Sequence, residues 1–257
     1  MITENQWVVR KARATRPRMR MFCFPFAGGG AAVFRNWTAI APAEIEVCPV
    51  QLPGRENRIG EPAFHNMSSL ADAATTALRP LLDLPFAFFG HSMGALLAFE
   101  IARRLRAIAY DGPAVIMASA ARAPQVPRTS ITYNLPVPQL LAELRRLEGT
   151  PTGVLDHPEL VELVLPLIRA DFQVVETYRY RHAPPLNCPI VALGGLEDRH
   201  VSAEQLEAWG AQTSTEFVRC MLPGGHFYIM ESTNVPAAAA LHHVAKYASS
   251  RINGATR

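Results

Sequence analysis

Six short apolar runs, separated by stretches long enough for a helix, constrain this chain more than any other feature. They cover residues 19–26, 45–52, 85–89, 114–118, 189–193 and 216–222. Several are apolar throughout rather than alternating, which is the pattern of strands buried on both faces of a parallel sheet. Between them, residues 67–82, 93–106, 203–209 and 235–248 suit crossover helices. A β-then-α order of this kind implies a doubly wound α/β domain, with a mostly parallel central sheet flanked by helices.

Residues 123–186 break the alternation. They contain no convincing strand and instead show helical stretches at 137–147, 158–169 and 171–178. A turn-rich stretch at 149–153 separates the first two. Leu140, Leu141, Leu144 and Leu147 fall at helical spacing and make one apolar face. An insertion of this size inside an α/β domain is expected to form a helical lid over the site; an extra helical layer is the alternative. The expected organisation is a single domain over 1–257 with a lid subdomain at 123–186.

Composition fits one well-packed domain. The chain has 257 residues, 49% of them apolar and 18% charged; an average soluble domain is about 25% charged. That balance excludes disorder as the main state. A formal charge of +3 is too small to argue for nucleic acid or a membrane surface, so neither is an expected partner. No apolar run reaches the ~18 residues of a membrane span. Basic residues crowd the start (Arg10, Lys11, Arg13, Arg16, Arg18, Arg20), but no apolar segment precedes Met21, so no secretory signal is expected. A solvated arm is expected there, with a transit peptide as the alternative. Cys23, Cys48, Cys188 and Cys220 have neither metal-ligand nor redox-motif spacing. Free thiols in a reducing cytoplasm are the expectation; a disulfide stays open, and no metal is expected.

The chemistry-bearing motif is Gly90-His91-Ser92-Met93-Gly94. It follows the apolar run Phe86–Phe89 and precedes a run of good helix formers, the strand–turn–helix context that a nucleophilic serine on a strained turn requires. A serine hydroxyl needs a base to take its proton and a third group to hold that base. In this context the chain order is serine, acid, histidine. Of eight histidines, His226 alone lies in a late glycine-rich loop directly after a strand, in Pro223-Gly224-Gly225-His226-Phe227. His242 and His243 fall on the last helix, and His91 points away from the serine. Asp198 sits at the carboxyl end of a strand, where catalytic groups gather in open sheets; Glu197 is the alternative acid. The oxyanion needs two amide donors. Met93, following the nucleophile, supplies one; the loop Phe24-Pro25-Phe26-Ala27-Gly28-Gly29-Gly30 supplies the other, from Ala27 or else Phe26.

Taken in order, these phrases resemble the type II (external, editing) thioesterases of polyketide and nonribosomal peptide synthesis. The resemblance rests on Phe22–Gly29, on Gln51-Leu52-Pro53-Gly54-Arg55-Glu56 with Arg58, and on the serine motif. It continues through Ala170-Asp171-Phe172 with Glu176-Thr177-Tyr178, Gly194-Gly195 with Asp198, and Pro223–Phe227. It spans roughly residues 7–245 and departs at Arg199-His200, where the family carries a proline near the first position.

The resemblance implies an α/β-hydrolase fold with a mobile lid and a Ser92, Asp198, His226 triad. It implies hydrolysis of acyl groups from the phosphopantetheine arm of acyl or peptidyl carrier proteins. No cofactor is implied, since the substrate carries the phosphopantetheine. Phe26, Leu140, Leu144 and Phe172 are candidate pocket residues, with plain lid packing as the alternative for the last three. Arg145, Arg146, Arg169, Arg179 and Arg181 make the insertion partly basic, a candidate docking face for acidic carriers. A carboxylesterase or lipase, a product-releasing medium-chain thioesterase and a non-catalytic scaffold on the same fold are the rival readings. A monomer is the default expectation.

Overall fold

The computed structural model describes residues 5–9, 17–128, 130–150, 152–231 and 233–254. Arg10, Lys11, Arg13 and Arg16 of the basic arm lie outside the described residues. In chain order the elements are β1 (Met19–Phe24), the short helix α1 (Trp37–Ile40), β2 (Ile45–Pro49), α2 (Met67–Leu78), β3 (Phe86–His91), α3 (Met93–Ala107) and β4 (Ile116–Ser119). They continue with α4 (Val137–Leu147), α5 (Thr152–Leu155), α6 (Pro158–Glu176), β5 (Ile190–Gly195), α7 (Ala203–Glu207), β6 (Phe217–Leu222) and α8 (Val235–Gly254).

All six strands pair in parallel, in the order β2-β1-β3-β4-β5-β6. The order reverses between β1 and β3, so the loops after these two strands part there and leave a crevice at the carboxyl edge. Alternate residues of β1 serve two cores. Phe22 and Phe24 join Phe88, Leu97, Phe99 and Trp209 on the α2–α3 face. Met19, Met21 and Cys23 join Phe34, Trp37, Phe89, Leu241 and Val244 on the α8 face. The helix α3 is buried on almost every side from Met93 to Ala102, which explains its nearly unbroken apolar sequence.

The six expected strands are present, with β1 and β2 ending earlier than their apolar runs. The expected division of the insertion differs in one place: 158–169 and 171–178 form one helix, α6, of 19 residues. Its outer half packs Val161, Leu165 and Ile168 into a separate cluster with Leu140, Leu144 and Leu155. Its inner half packs Val174 and Val175 into the main core. The apolar stripe shifts as the helix passes from one core to the other, and a shifted stripe reads as a break. The turn-rich stretch also holds a helical turn, α5.

Residues 5–9, ahead of β1, are tied down. Val8 pairs antiparallel with Val50, the Trp7 carbonyl accepts from the Gln51 amide (2.9 Å), and Arg58 lies over the Trp7 ring. All four cysteines are free thiols, and only Cys220 is not fully buried. Among the described residues, no helix is long and apolar enough to cross a membrane, and no cluster of side chains suits a metal ion.

Candidate active site

Ser92 occupies the turn between β3 and α3, with φ 52° and ψ −109°. Side chains avoid this region, and the turn is held by the Ser92 amide donating to the Ser119 carbonyl (2.8 Å). The two glycines of the motif have separate steric reasons. A Cβ on Gly90 would run into the Gly94 carbonyl, and one on Gly94 would run into the Phe24 carbonyl of β1. Only hydrogen atoms fit where helix, turn and neighbouring strand meet.

His226 and Asp198 arrive from the ends of β6 and β5. The His226 Nδ1–H donates to Asp198 Oδ2 (2.8 Å), which leaves Nε2 as an acceptor 3.3 Å from Ser92 Oγ. The other carboxylate oxygen accepts from the amides of His200 (2.7 Å) and Val201 (3.1 Å). Burial raises the pKa of Asp198, but the hydrogen bond and charge of His226 and the two amides outweigh it, so the carboxyl sits below its ordinary value. The departure at Arg199-His200 therefore leaves the acid held by backbone. The alternative acid, Glu197, turns elsewhere: its carboxylate accepts from the Gly224 amide (2.5 Å) and holds the histidine loop. His91 is fully buried behind the serine. Its Nδ1 meets Ser119 Oγ (2.8 Å), which in turn meets the Tyr228 hydroxyl (2.5 Å). Burial, and then the charge of His226, holds His91 well below its ordinary value, so it is neutral.

The Met93 amide opens α3, where the helix dipole favours negative charge. Among the described residues, neither it nor the Ala27 amide has a protein acceptor. The loop carrying Ala27 is fixed by a buried ion pair that no motif reading anticipated. Arg55 and Asp171 meet in a fork (2.7 and 2.9 Å), both nearly inaccessible. The same Asp171 oxygen accepts from the Gly28 amide (2.7 Å), and Arg55 donates to the Gly29 carbonyl (3.0 Å). Gln51 adds a third tie, accepting from the Ala31 amide (2.9 Å) while donating to the Arg55 carbonyl (2.9 Å). The Gln-Leu-Pro-Gly-Arg and Ala-Asp-Phe phrases are thus two halves of one brace. Their only signal in the sequence was their presence as phrases.

A cavity of about 1030 Å³, counting its open mouth, lies over Ser92 and His226 and under the insertion. Phe26, Ala27, Leu144 and Phe172 line it. Leu140 does not: it is fully buried in the insertion's own cluster and points into that core rather than into the cavity. The five arginines of the expected basic face are largely occupied. Arg145 pairs with Asp156 and Arg146 with Glu143, while Arg169 donates to the Tyr133 carbonyl and Arg179 to that of Glu176. Arg181 is exposed.

The thioesterase domain model matches residues 19–245. Among relatives, the gramicidin S biosynthesis protein GrsT of Aneurinibacillus migulanus is 44% identical over 229 residues, 89% of this chain and 90% of the relative. The type II thioesterase BorB from the borrelidin biosynthetic cluster superposes with a TM-score of 0.82 at 34% identity, covering 95% of this chain and 97% of that one. The thioesterase RedJ from the prodiginine pathway of Streptomyces coelicolor superposes with a TM-score of 0.82 at 35% identity, covering 90% and 86%. With most of its length matched by the domain model and by these relatives, the chain belongs to the thioesterase family.

Proposed function

We propose that this protein hydrolyses acyl groups from the phosphopantetheine arm of acyl or peptidyl carrier proteins, clearing stalled or aberrant units in polyketide or nonribosomal peptide synthesis. The observation that carries the chemistry is the hydrogen-bonded series Ser92–His226–Asp198 opening into a cavity beside two amides without acceptors. The pathway context is supported by relatives named for gramicidin S, borrelidin and prodiginine biosynthesis.

In this mechanism His226 Nε2 takes the Ser92 proton as Oγ attacks the thioester carbon. The Met93 and Ala27 amides hold the resulting oxyanion. The C–S bond breaks, and the pantetheine thiol leaves with the proton from His226. Water then repeats the sequence on the acyl-enzyme: His226 takes its proton, and Ser92 is released with that proton restored. Asp198 holds the imidazole in the Nδ1–H tautomer throughout. The protein supplies no cofactor, since the pantetheine arm belongs to the substrate. Residues 123–186 act as the lid, with Phe26, Leu144 and Phe172 facing the acyl group.

The test compares kcat/KM for one acyl group on a carrier protein, on free pantetheine and in a simple oxygen ester. A clear preference for the carrier-bound thioester is expected. Preference for the oxygen ester would instead support a carboxylesterase.

A further inference from the structure

Two arginines in the cavity wall have no role in the chemistry above. Arg122 and Arg128 follow β4 and line the catalytic cavity together with Ser92 and His226. They also line an adjoining cavity bounded by Tyr178 and Tyr180, so they stand where the two spaces meet. The cavity's other charges are already engaged. Arg146 pairs with Glu143, and one oxygen of Glu176 accepts from the Thr132 (2.7 Å) and Tyr133 (2.9 Å) amides. Arg179, beside them in the second cavity, donates to backbone carbonyls.

Arg122 and Arg128 are different. Arg122 makes one long bond to the Pro127 carbonyl (3.2 Å), and its Nε is buried without a partner. Arg128 is exposed, and among the described residues it has no hydrogen-bond or ion-pair partner. Burial lowers the guanidinium pKa of Arg122. Both remain charged at neutral pH. Arg122 is half-buried and Arg128 is exposed at the cavity's edge; the two neighbouring cations repel each other and are short of protein acceptors, a cost that an anion between them would relieve. A guanidinium fork matches a carboxylate or phosphate with paired hydrogen bonds.

We propose that Arg122 and Arg128 form a subsite for an oxyanion carried by the substrate. The oxyanion is either a carboxylate at the far end of the acyl group or the phosphate of the pantetheine arm. The inference rests on the reading of this cavity as a thioester site and adds a selectivity to it: substrates bearing the anion bind more tightly than otherwise identical ones without it.

The experiment uses four thioesters, butyryl and succinyl on pantetheine, each with and without the 4′-phosphate, on the unaltered protein and on R122Q/R128Q. If the acyl carboxylate is the ligand, the KM ratio of butyryl to succinyl substrates falls at least tenfold in the variant. If the phosphate is the ligand, the KM ratio of unphosphorylated to phosphorylated substrates falls by that much instead. Both ratios unchanged within twofold would overturn the proposal. Calorimetric binding of glutarate and of phosphopantetheine supplies a readout without turnover. Loss of binding in the double variant supports the subsite, and binding retained at full strength overturns it. Failure of the unaltered protein to cleave any of the four would count against the thioesterase reading, while calorimetry still decides the subsite. The melting temperature of the variant is expected to hold or rise, because repulsion is removed; a marked fall would assign these arginines to structure instead.

Discussion

The floor of the site and its cover are built on different principles. On the floor, each proposed reacting group leaves a parallel strand within a few residues and is fixed by backbone contacts. Ser92 is held through Ser119, and Asp198 through the His200 and Val201 amides; Glu197 holds the loop of His226. The outer cover, α4, α5 and the first half of α6, rests on a small cluster of its own and on exposed ion pairs. Exposed pairs contribute about 0–1 kcal/mol. The inner half of α6 belongs to the floor, through Asp171 on Arg55 and through Val174 and Val175 in the main core. The difference teaches where movement starts. If residues 123–186 open as a lid, opening is expected to begin at α4 and α5, where the joints are weak, and not along the length of α6.

Substitutions on the floor should have the largest effects. Ser92→Ala is expected to lower kcat by about 10⁴–10⁶ with no loss of thermal stability, because alanine relieves no packing and keeps the turn. Near-normal turnover would remove Ser92 from the mechanism. Asp198→Asn should lower kcat by roughly 10⁴, whereas Glu197→Gln should act mainly on KM and stability by loosening the histidine loop. Comparable kcat losses for the two would blur the distinction between acid and anchor.

At the seam, Asp171→Asn leaves Arg55 buried without its counter-charge. Urea unfolding should show a loss of about 3–5 kcal/mol, and Arg145→Ala, which breaks an exposed pair on the cover, less than about 1 kcal/mol. Equal losses would erase the boundary between floor and cover. Acid should find the floor as well. Because the folded pKa of Asp198 is depressed, its ionised form is favoured by folding. That contribution is complete above the ordinary carboxylate value of about 3.9 and is lost as pH falls through the lower folded value. Asp198→Asn should flatten this acid limb in unfolding titrations carried from about pH 5 down through the folded value. The smallest effect belongs to the cover's outer surface: reversing Arg145 to glutamate should raise KM severalfold for carrier-bound substrates and leave free pantetheine thioesters unchanged. Equal changes for both would end the docking role.

The sequence made the floor legible because its constraints are local. Continuous apolar runs mark buried parallel strands, glycines at 90 and 94 mark a close approach, and a histidine after a late strand has few other uses. It favoured Asp198 but kept Glu197 as the alternative, because adjacent carboxylates on a turn differ only in the direction they face, which backbone amides decide. It misread α6 as two helices because the residues were sorted by one periodic stripe while the helix serves two cores. Leu140 and Leu144 lie on one helical face, yet only Leu144 reaches the cavity; which end of a stripe meets a ligand depends on tertiary packing. Arg55 and Asp171 are 116 positions apart, and no spacing rule links such a pair.

The short segment ahead of β1 has a practical consequence. The family match begins at residue 19, which invites a trimmed fragment starting there. Such a fragment would lack the Trp7 carbonyl that receives the Gln51 amide and the indole beneath Arg58. Gln51 is the hub that orders the glycine-rich turn. Deleting a dozen and a half seemingly dispensable residues would therefore blunt catalysis from the far side of the sheet's edge, and expression boundaries belong before Asn5.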